Sequence, residues 1–206
     1  MAPSGRQIIV KGRVQGVGFR PFVWRLAKEA GLTGNVLNNG TGVSIAVWGS
    51  DADLFAFERA LMKSLPPLAQ IDSVTGSPLA GQDNQNGFHI VQSADTEINT
   101  QITPDAATCP DCLTEMRDPS DRRYRYPFIN CTHCGPRLSI VQGIPYDRAQ
   151  TSMGKFKMCS DCLREYQDPA NRRFHAQPNA CPVCGPKVWI EDATGKCGGI
   201  DPVAEV

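Results

Sequence analysis

Eight of the nine cysteines in this 206-residue sequence occur in four Cys-x-x-Cys pairs, which follow one spacing twice, Cys-x2-Cys-x18-Cys-x2-Cys. Four thiolates fill the coordination sphere of Zn²⁺ and leave no position for a water molecule, so such a site is structural rather than catalytic. The spacing therefore predicts two structural zinc ions. The predicted ligands are Cys109, Cys112, Cys131, Cys134, Cys159, Cys162, Cys181 and Cys184.

The two four-cysteine units are copies of each other at an offset of 50 residues, and the copy extends to other side chains. Repetition of this fidelity predicts one structural unit used twice, with one zinc ion per repeat. An interleaved arrangement, in which outer knuckles pair together and inner knuckles pair together, is the alternative, and an iron–sulfur cluster is a second one. The repeated positions include Glu115 and Glu165, Arg122 and Arg172, and Arg123 and Arg173.

The paired arginines offer positive charge to sites that need it, because one Zn²⁺ with four thiolates carries a net negative charge. Their sequence is equally compatible with solvated positions. His133 and His175 are near the cysteines, but each unit already has four thiolates, so neither histidine is expected to be a ligand. Cys197 has no partner pattern and is expected to be a bystander.

A second group of residues with chemical potential is the segment 12–20, Gly-Arg-Val-Gln-Gly-Val-Gly-Phe-Arg. Gly16 and Gly18 permit backbone conformations that turn successive N–H groups toward an anion. Arg20 stands at the start of a predicted helix, whose positive end adds to its charge, and a guanidinium can grip a phosphate with two donors. The segment therefore predicts a phosphate site, and a tight strand–helix turn with a surface arginine is the alternative.

The elements around this segment predict an α+β domain over residues 6–92, in the β-α-β-β-α-β order of a ferredoxin-like fold. Apolar residues recur at helical spacing after Phe19, and Ser50 to Asp53 resembles a capping box for a second helix. That helix carries an apolar face of Leu54, Phe57, Leu61, Met62 and Leu65. Strands are expected near Gln7–Lys11, Val43–Val47, Ile71–Gly76 and Phe88–Gln92.

The remaining organisation follows from composition and from the repeat. Residues 93–103 are polar and aperiodic, which predicts a linker, and residues 104–190 then form a small zinc-stabilised domain of two units, 109–134 and 159–184. Residues 191–206 end in Asp201-Pro202-Val203-Ala204-Glu205-Val206, which resembles a helix start. We hypothesise that they begin a further domain of a longer polypeptide.

The charge balance of 21 basic and 21 acidic residues offers no electrostatic reason for a nucleic-acid or anionic-membrane partner. The zinc units are themselves balanced, with four Lys/Arg and four Asp/Glu in 109–134 and three of each in 159–184. The N-terminus has no apolar core of the kind that a signal peptide needs, and no apolar run reaches membrane-spanning length. A cytoplasmic location is expected.

Residues 11–22, followed by Gly34-Asn-Val-Leu-Asn-Asn-Gly-Thr-Gly42, resemble both signatures of the acylphosphatase family. The resemblance implies that Arg20 binds the phosphate and that Asn38 orients the attacking water, so these are the expected catalytic residues. It also implies a substrate-binding loop. The expected members of that loop are Gln15, Gly16, Val17, Gly18, Phe19 and Arg20.

The order of the parts, an acylphosphatase-like domain before two four-cysteine units, resembles the N-terminal region of the HypF family of carbamoyltransferases in [NiFe]-hydrogenase maturation. Matching segments include 103–110, 123–136 and 173–178. The resemblance implies hydrolysis of carbamoyl phosphate to phosphate and carbamate here. It implies ATP-dependent carbamoyl transfer, in later domains, to the C-terminal cysteine of a HypE-type protein. A catalytically silent substrate-binding and docking module is the rival hypothesis.

Overall fold

The computed structural model describes residues 4–80, 86–94 and 100–196. Its first domain consists of five strands and two helices, and the second consists of two short helices, two 3-10 turns and a small hairpin. In chain order the first-domain elements are β1 (Ser4–Arg13), α1 (Phe19–Glu29), β2 (Thr33–Asn39), β3 (Gly42–Gly49), α2 (Asp51–Lys63), β4 (Gln70–Leu79) and β5 (Phe88–Ile90).

The five strands form one sheet in the order β4-β1-β3-β2-β5. The pairs β1–β3, β1–β4 and β2–β3 are antiparallel, whereas β5 lies parallel to β2 at the sheet edge. The predicted α+β, ferredoxin-like β-α-β-β-α-β fold is therefore confirmed, with β1 through β4 as its four strands. The predicted strand near residue 88 is present, but it is an additional edge strand.

The core lies between the sheet and the two helices, and its pattern follows the alternation in the sequence. Ile8 and Val10 on β1 and Val43, Ile45 and Val47 on β3 are fully buried. Side chains two apart on a strand point to the same face, so each strand presents one apolar face to the helices.

Helix α2 begins as predicted, because the Ser50 side chain accepts a hydrogen bond from the Asp53 amide at 3.2 Å. Three residues of this helix are buried, Leu54, Phe57 and Leu61. The prediction for Met62 is wrong, since 60% of this residue is exposed. Met62 directly follows Leu61, and one residue of helical rotation carries its side chain off the face that meets the sheet.

The second domain contains α3 (Pro110–Arg117), α4 (Ser160–Gln167), β6 (Glu191–Asp192) and β7 (Gly195–Lys196). Each helix starts directly after the first cysteine of a four-cysteine unit, and two 3-10 turns, Arg148–Gln150 and Ser152–Lys155, lie between the units. Within the described ranges, no helix is both long and apolar enough to cross a bilayer. Cys197 and the predicted helix start at Asp201 lie outside the described residues.

Candidate active site and metal centres

The four cysteines of each repeat lie together, and the two groups are separate. Cys109, Cys112, Cys131 and Cys134 form one cluster, and Cys159, Cys162, Cys181 and Cys184 form the other, with all sulfurs of a cluster within 4.8 Å of one another. The structure thus has the arrangement of one cluster per repeat, and the interleaved alternative is not formed.

The sulfur positions fit a tetrahedral metal ion. In the first cluster the Cys109–Cys131 and Cys131–Cys134 sulfurs are 3.8 Å apart, and those of Cys112 and Cys134 are 3.5 Å apart. The second cluster has distances of 3.8, 3.8 and 3.6 Å at the equivalent pairs. Zn–S bonds of about 2.3 Å in a tetrahedron place sulfurs about 3.8 Å apart. All eight thiols are free of disulfides, so each cluster offers four ligands for one Zn²⁺.

The paired arginines of each unit contact the other unit, an arrangement that we call the arginine exchange. Arg122 of the first unit donates to the Cys162 sulfur of the second at 2.9 Å. Its repeat counterpart, Arg172, donates to the Cys112 sulfur of the first unit at 3.1 Å. These contacts place positive charge beside each sulfur cluster, as one of the two interpretations of the sequence predicted. Each arginine, however, contacts the cluster of the other repeat.

The second arginine of each pair is more deeply buried and makes the same exchange. Arg123 donates to a Glu165 carboxylate oxygen at 2.8 Å and to the Ala180 carbonyl oxygen at 2.9 Å. Arg173 bonds to Glu115 and donates to the Asn130 carbonyl oxygen at 3.0 Å. Because equivalent atoms pair in both directions, the two units are related by an approximate two-fold arrangement.

The two glutamates are ionised by this exchange. Burial acts to raise the pKa of Glu165, but hydrogen bonds from Arg123 and Arg122 overcome that effect and lower the pKa to about 2. Burial also acts to raise the pKa of Glu115, but the hydrogen bonds from Arg173 and Arg172 outweigh it and keep this pKa below its ordinary value.

The predicted phosphate loop lies between β1 and α1, and its glycines have the backbone conformation that the prediction required. Gly16 and Gly18 have φ angles of 73° and 76°, in the left-handed region. Arg20 is in the first turn of α1, and Asn38 is near the end of β2. Both side chains are buried, with 8% and 1% exposure, and both line one cavity together with Gly16, Gly18 and Phe19.

Two other predicted members of the loop do not line this cavity. The Gln15 amide donates to the carbonyl oxygens of Asn39 and Gly42 at 2.7 and 2.8 Å, and it ties the loop to the β2–β3 turn. Val17 is fully buried in the apolar core. Their side chains therefore support the loop from behind.

A segment of the second domain closes the cavity. Arg20 Nη2 donates to the Asp147 carboxylate at 2.7 Å, and Asn38 Nδ2 donates to the Tyr146 carbonyl oxygen at 3.3 Å. The Tyr146 amide donates in turn to the Gln15 side-chain oxygen at 2.9 Å. Two consecutive residues, which we call the Tyr146–Asp147 cover, thus contact both expected catalytic residues.

The cavity is small, with a volume of about 20 Å³, which is about the space for one water molecule. The Asn38 Oδ1 and Tyr146 hydroxyl oxygens are buried without a hydrogen-bond partner among the described residues. Burial raises the pKa of Tyr146 to about 12. Burial, and then the charge of Arg20, lowers the pKa of His175 to about 4, so the imidazole that lines this cavity is neutral at pH 7.

Sequence patterns did not identify the second-domain residues at this site. Arg137, Tyr146, Asp147 and His175 belong to no spacing that points to the phosphate loop. The available signal is a break in the repeat, because Arg137 differs in type from its counterpart Lys187 and His175 from its counterpart Arg125.

Comparison with known proteins gives two family matches. The acylphosphatase model matches residues 6–90, and the HypF finger model matches residues 108–141 and 158–191. The chain is 43% identical to an acylphosphatase of Caldivirga maquilingensis over 86 residues, which cover 41% of the chain and 90% of that protein.

The similarity to HypF carbamoyltransferases extends over more of the chain. The Rhodobacter capsulatus carbamoyltransferase HypF is 56% identical over 152 residues, which cover 74% of this chain and 20% of that protein. A crystal structure of full-length HypF in the phosphate- and nucleotide-bound form superposes with a TM-score of 0.88 at 48% identity, covering 93% of this chain and 25% of that one.

These matches agree with the fold and with the two sulfur clusters. The chain spans about a fifth of the length of the curated HypF relatives it matches. Residues 6–90 make this chain a member of the acylphosphatase family, joined here to the paired HypF finger.

Proposed function

We propose that this chain hydrolyses acyl phosphates, with carbamoyl phosphate as the substrate, and that it is the N-terminal part of a carbamoyltransferase for [NiFe]-hydrogenase maturation. The observation that carries the proposal is the meeting of Arg20 and Asn38 in one cavity beside the glycine loop. The acylphosphatase match and the phosphate-bound state of the similar HypF structure support it.

The site residues have distinct roles in the proposed reaction. The loop amides and Arg20 bind the phosphoryl group and stabilise the charge that shifts within it. Asn38 holds a water molecule in line with the phosphorus atom. Water forms the new P–O bond while the bond between phosphorus and the acyl oxygen breaks. One carbamoyl phosphate dianion and one water give carbamate and dihydrogen phosphate, with no covalent enzyme intermediate.

The eight clustered cysteines are proposed as the ligands of two zinc ions that take no part in this chemistry. With four sulfurs around each ion, zinc would supply folding energy to a region that has few large apolar residues. In the proposed full-length protein, later domains use ATP and pass the carbamoyl group to the C-terminal cysteine of a HypE-type partner.

A second candidate function is a silent module that holds the substrate without cleaving it. The Tyr146–Asp147 cover favours this function, because it occupies Arg20 Nη2 and Asn38 Nδ2 from within the chain and leaves room for little more than one water molecule. Under the hydrolase proposal the cover moves aside when the substrate enters.

Phosphate release from carbamoyl phosphate distinguishes the two functions. We expect turnover by the unsubstituted chain, a loss of about a hundredfold or more in Arg20→Ala through lost electrostatic stabilisation, and a clear loss in Asn38→Ala. Arg25→Ala, which changes an exposed arginine on the same helix, is the control and should keep full activity. Equal rates in all four proteins would exclude the hydrolase, and calorimetric binding of the substrate without turnover would establish the silent module.

A further inference from the structure

The second domain contacts the phosphate loop at its backbone as well as at its side chains. We propose that Thr103 and Arg137, both outside the acylphosphatase domain, are positioning residues that hold the loop amides in the orientation that binds phosphate. This inference rests on the proposed function for the identity of the ligand. It assigns to the finger region a part in the anion site itself.

Two consecutive carbonyl groups of the loop are held by these residues. The Thr103 hydroxyl donates to the Gln15 carbonyl oxygen at 2.7 Å, and Arg137 Nε donates to the Gly16 carbonyl oxygen. In a trans peptide the carbonyl and the following N–H point in opposite directions. Fixing these two carbonyls therefore directs the amides of Gly16 and Val17 to the opposite side of the chain.

The amides that are turned in this way are available to a ligand. Across the described ranges, no backbone or side-chain acceptor is found for the amides of Gly16, Val17 and Gly18. Successive amides with no internal acceptor, next to the N-terminal end of α1, form a concave anion site. The Arg20 side chain lies in the first turn of that helix.

Arg137 adds a charge to this geometry. It is 1% exposed, and all five of its N–H donors are occupied by backbone carbonyl oxygens. Its guanidinium makes no ion pair with any carboxylate in the described part of the chain. A buried cation without a carboxylate partner is unfavourable alone, and a phosphate dianion bound nearby would offset that cost.

The remaining four donors of Arg137 join the loop to the first finger unit. They hold the carbonyl oxygens of Cys131, Thr132, Cys134 and Pro136, which form the second cysteine knuckle of that unit. One side chain thus connects a predicted zinc knuckle to the phosphate loop, so the knuckle sets the position of the guanidinium.

The close approach of the two domains depends on the loop glycines. A Cβ atom on Gly16 would lie 3.1 Å from Arg137 Cδ and 3.3 Å from the Tyr146 ring, and one on Gly18 would lie 3.1 Å from Thr132 Cβ. These glycines are therefore required both for their left-handed backbone and for space against the finger region.

The repeat supplies a matched control for the test. Lys187 occupies the place of Arg137 after the second unit, in the same Cys-Gly-Pro context, and its side chain is exposed. Lys187→Met therefore removes a cation at the equivalent position of the other unit without touching the loop. Thr103→Val removes the hydroxyl and keeps the shape of the side chain, and it leaves the cysteine knuckle unchanged.

The experiment measures the dissociation constant of inorganic phosphate by calorimetry, together with kcat and KM for carbamoyl phosphate and the zinc content of each variant. We expect Thr103→Val to weaken phosphate binding about tenfold through one lost hydrogen bond to the loop. Arg137→Met should weaken it more, because it also removes a charge, and Arg137→Lys should recover part of the loss. Lys187→Met should match the unsubstituted chain.

The outcomes separate this inference from the proposed function. Phosphate binding by the unsubstituted chain without turnover would exclude the hydrolase and still test the loop through the dissociation constants. Unchanged phosphate affinity in Thr103→Val and Arg137→Met, at full zinc content, would overturn the inference, as would no phosphate binding by the unsubstituted chain. If Arg137→Met loses zinc, Thr103→Val decides alone, because its hydroxyl bonds the Gln15 carbonyl oxygen of the loop and no atom of the cysteine knuckle.

Discussion

The two finger units have the same internal construction but turn different parts toward the acylphosphatase domain. The first unit uses its second knuckle, where Thr132 is buried against Gly18. The second unit uses the segment between its knuckles, where Phe174 packs on Trp24 of α1 with ring centroids 5.4 Å apart. The counterpart positions are exposed, since Pro182 of the second unit is exposed and Tyr124 of the first is 43% exposed.

The difference shows which positions the repeat constrains. The cysteines, glutamates and paired arginines recur because each unit needs the same contacts from the other. Positions that face the first domain differ, as in Arg137 against Lys187 and Arg125 against His175. An approximate two-fold arrangement turns different faces of the two finger units toward the acylphosphatase domain. The duplicated unit therefore makes two different kinds of contact with that domain.

The largest test of this comparison removes one metal ligand from each unit. Cys134→Ser and Cys184→Ser should each lower the zinc content from two to about one, since structural zinc contributes roughly 10–16 kcal/mol to such modules. Cys134→Ser should also abolish most phosphate binding, because Arg137 is anchored on that knuckle. Cys184→Ser should retain more of it. Metal analysis and phosphate titration check both, and equal phosphate affinity in the two variants would contradict the comparison.

A smaller effect is expected from the exchanged ion pairs. Glu165→Gln should lower the free energy of unfolding at pH 7 by about 2 kcal/mol, less than the loss for a fully buried pair because Glu165 is 17% exposed. Glu115→Gln should cost less, since Glu115 is 25% exposed. Chemical denaturation of the zinc-loaded proteins measures both losses. A Glu165→Gln variant as stable as the unsubstituted chain would show that the exchange contributes nothing.

The same pair predicts a pH dependence with a definite sign. The pKa of Glu165 is lowered to about 2 in the folded state, against about 4.3 in an unfolded chain. Its stabilisation is therefore complete above pH 4.3 or so and is lost as the pH falls toward 2. The difference in stability between the unsubstituted chain and Glu165→Gln should shrink over that range.

The smallest effect is expected at Asp147, which lies in the segment that joins the two finger units and contacts Arg20. Asp147→Asn keeps a hydrogen-bond acceptor near Arg20 but removes a negative charge that a phosphate must otherwise approach. We expect inorganic phosphate to bind several-fold more tightly, since like charges at one site oppose each other. Asp161→Asn, at an exposed carboxylate in the second unit, should change nothing. Weaker phosphate binding in Asp147→Asn would instead mean that the carboxylate positions Arg20.

Local patterns in the sequence predicted much of this structure. Alternating apolar residues on β1 and β3, the Ser50 cap and the cysteine spacing each depend on neighbours a few residues away, or on a repeat that is visible by inspection. Arg20 and Asn38, which the family resemblance implied as catalytic residues, line one cavity, and their roles stay a prediction. Met62 was placed wrongly because a helical stripe does not show where the buried face ends.

The contacts between the domains could not be predicted in this way. The Arg20–Asp147 pair joins residues 127 positions apart, and the Arg137–Gly16 contact spans 121. No periodicity connects such positions, and an arginine or an aspartate in an irregular segment has the composition of an ordinary surface loop. The exchange of arginines also escaped prediction, because the repeat shows that Arg122 and Arg172 are equivalent but not which cluster each one meets.

That exchange has a consequence for the history of the region. A single finger unit would lack the arginines that contact its glutamate and its sulfurs, because those arginines belong to the other unit. A second identical copy would supply them. Two such copies, each giving what the other lacks, form a closed symmetric dimer. Duplication of one such gene and fusion of its two copies would preserve every contact of that dimer while freeing each half to diverge, so the reciprocal contacts are the ones expected of a fused homodimer.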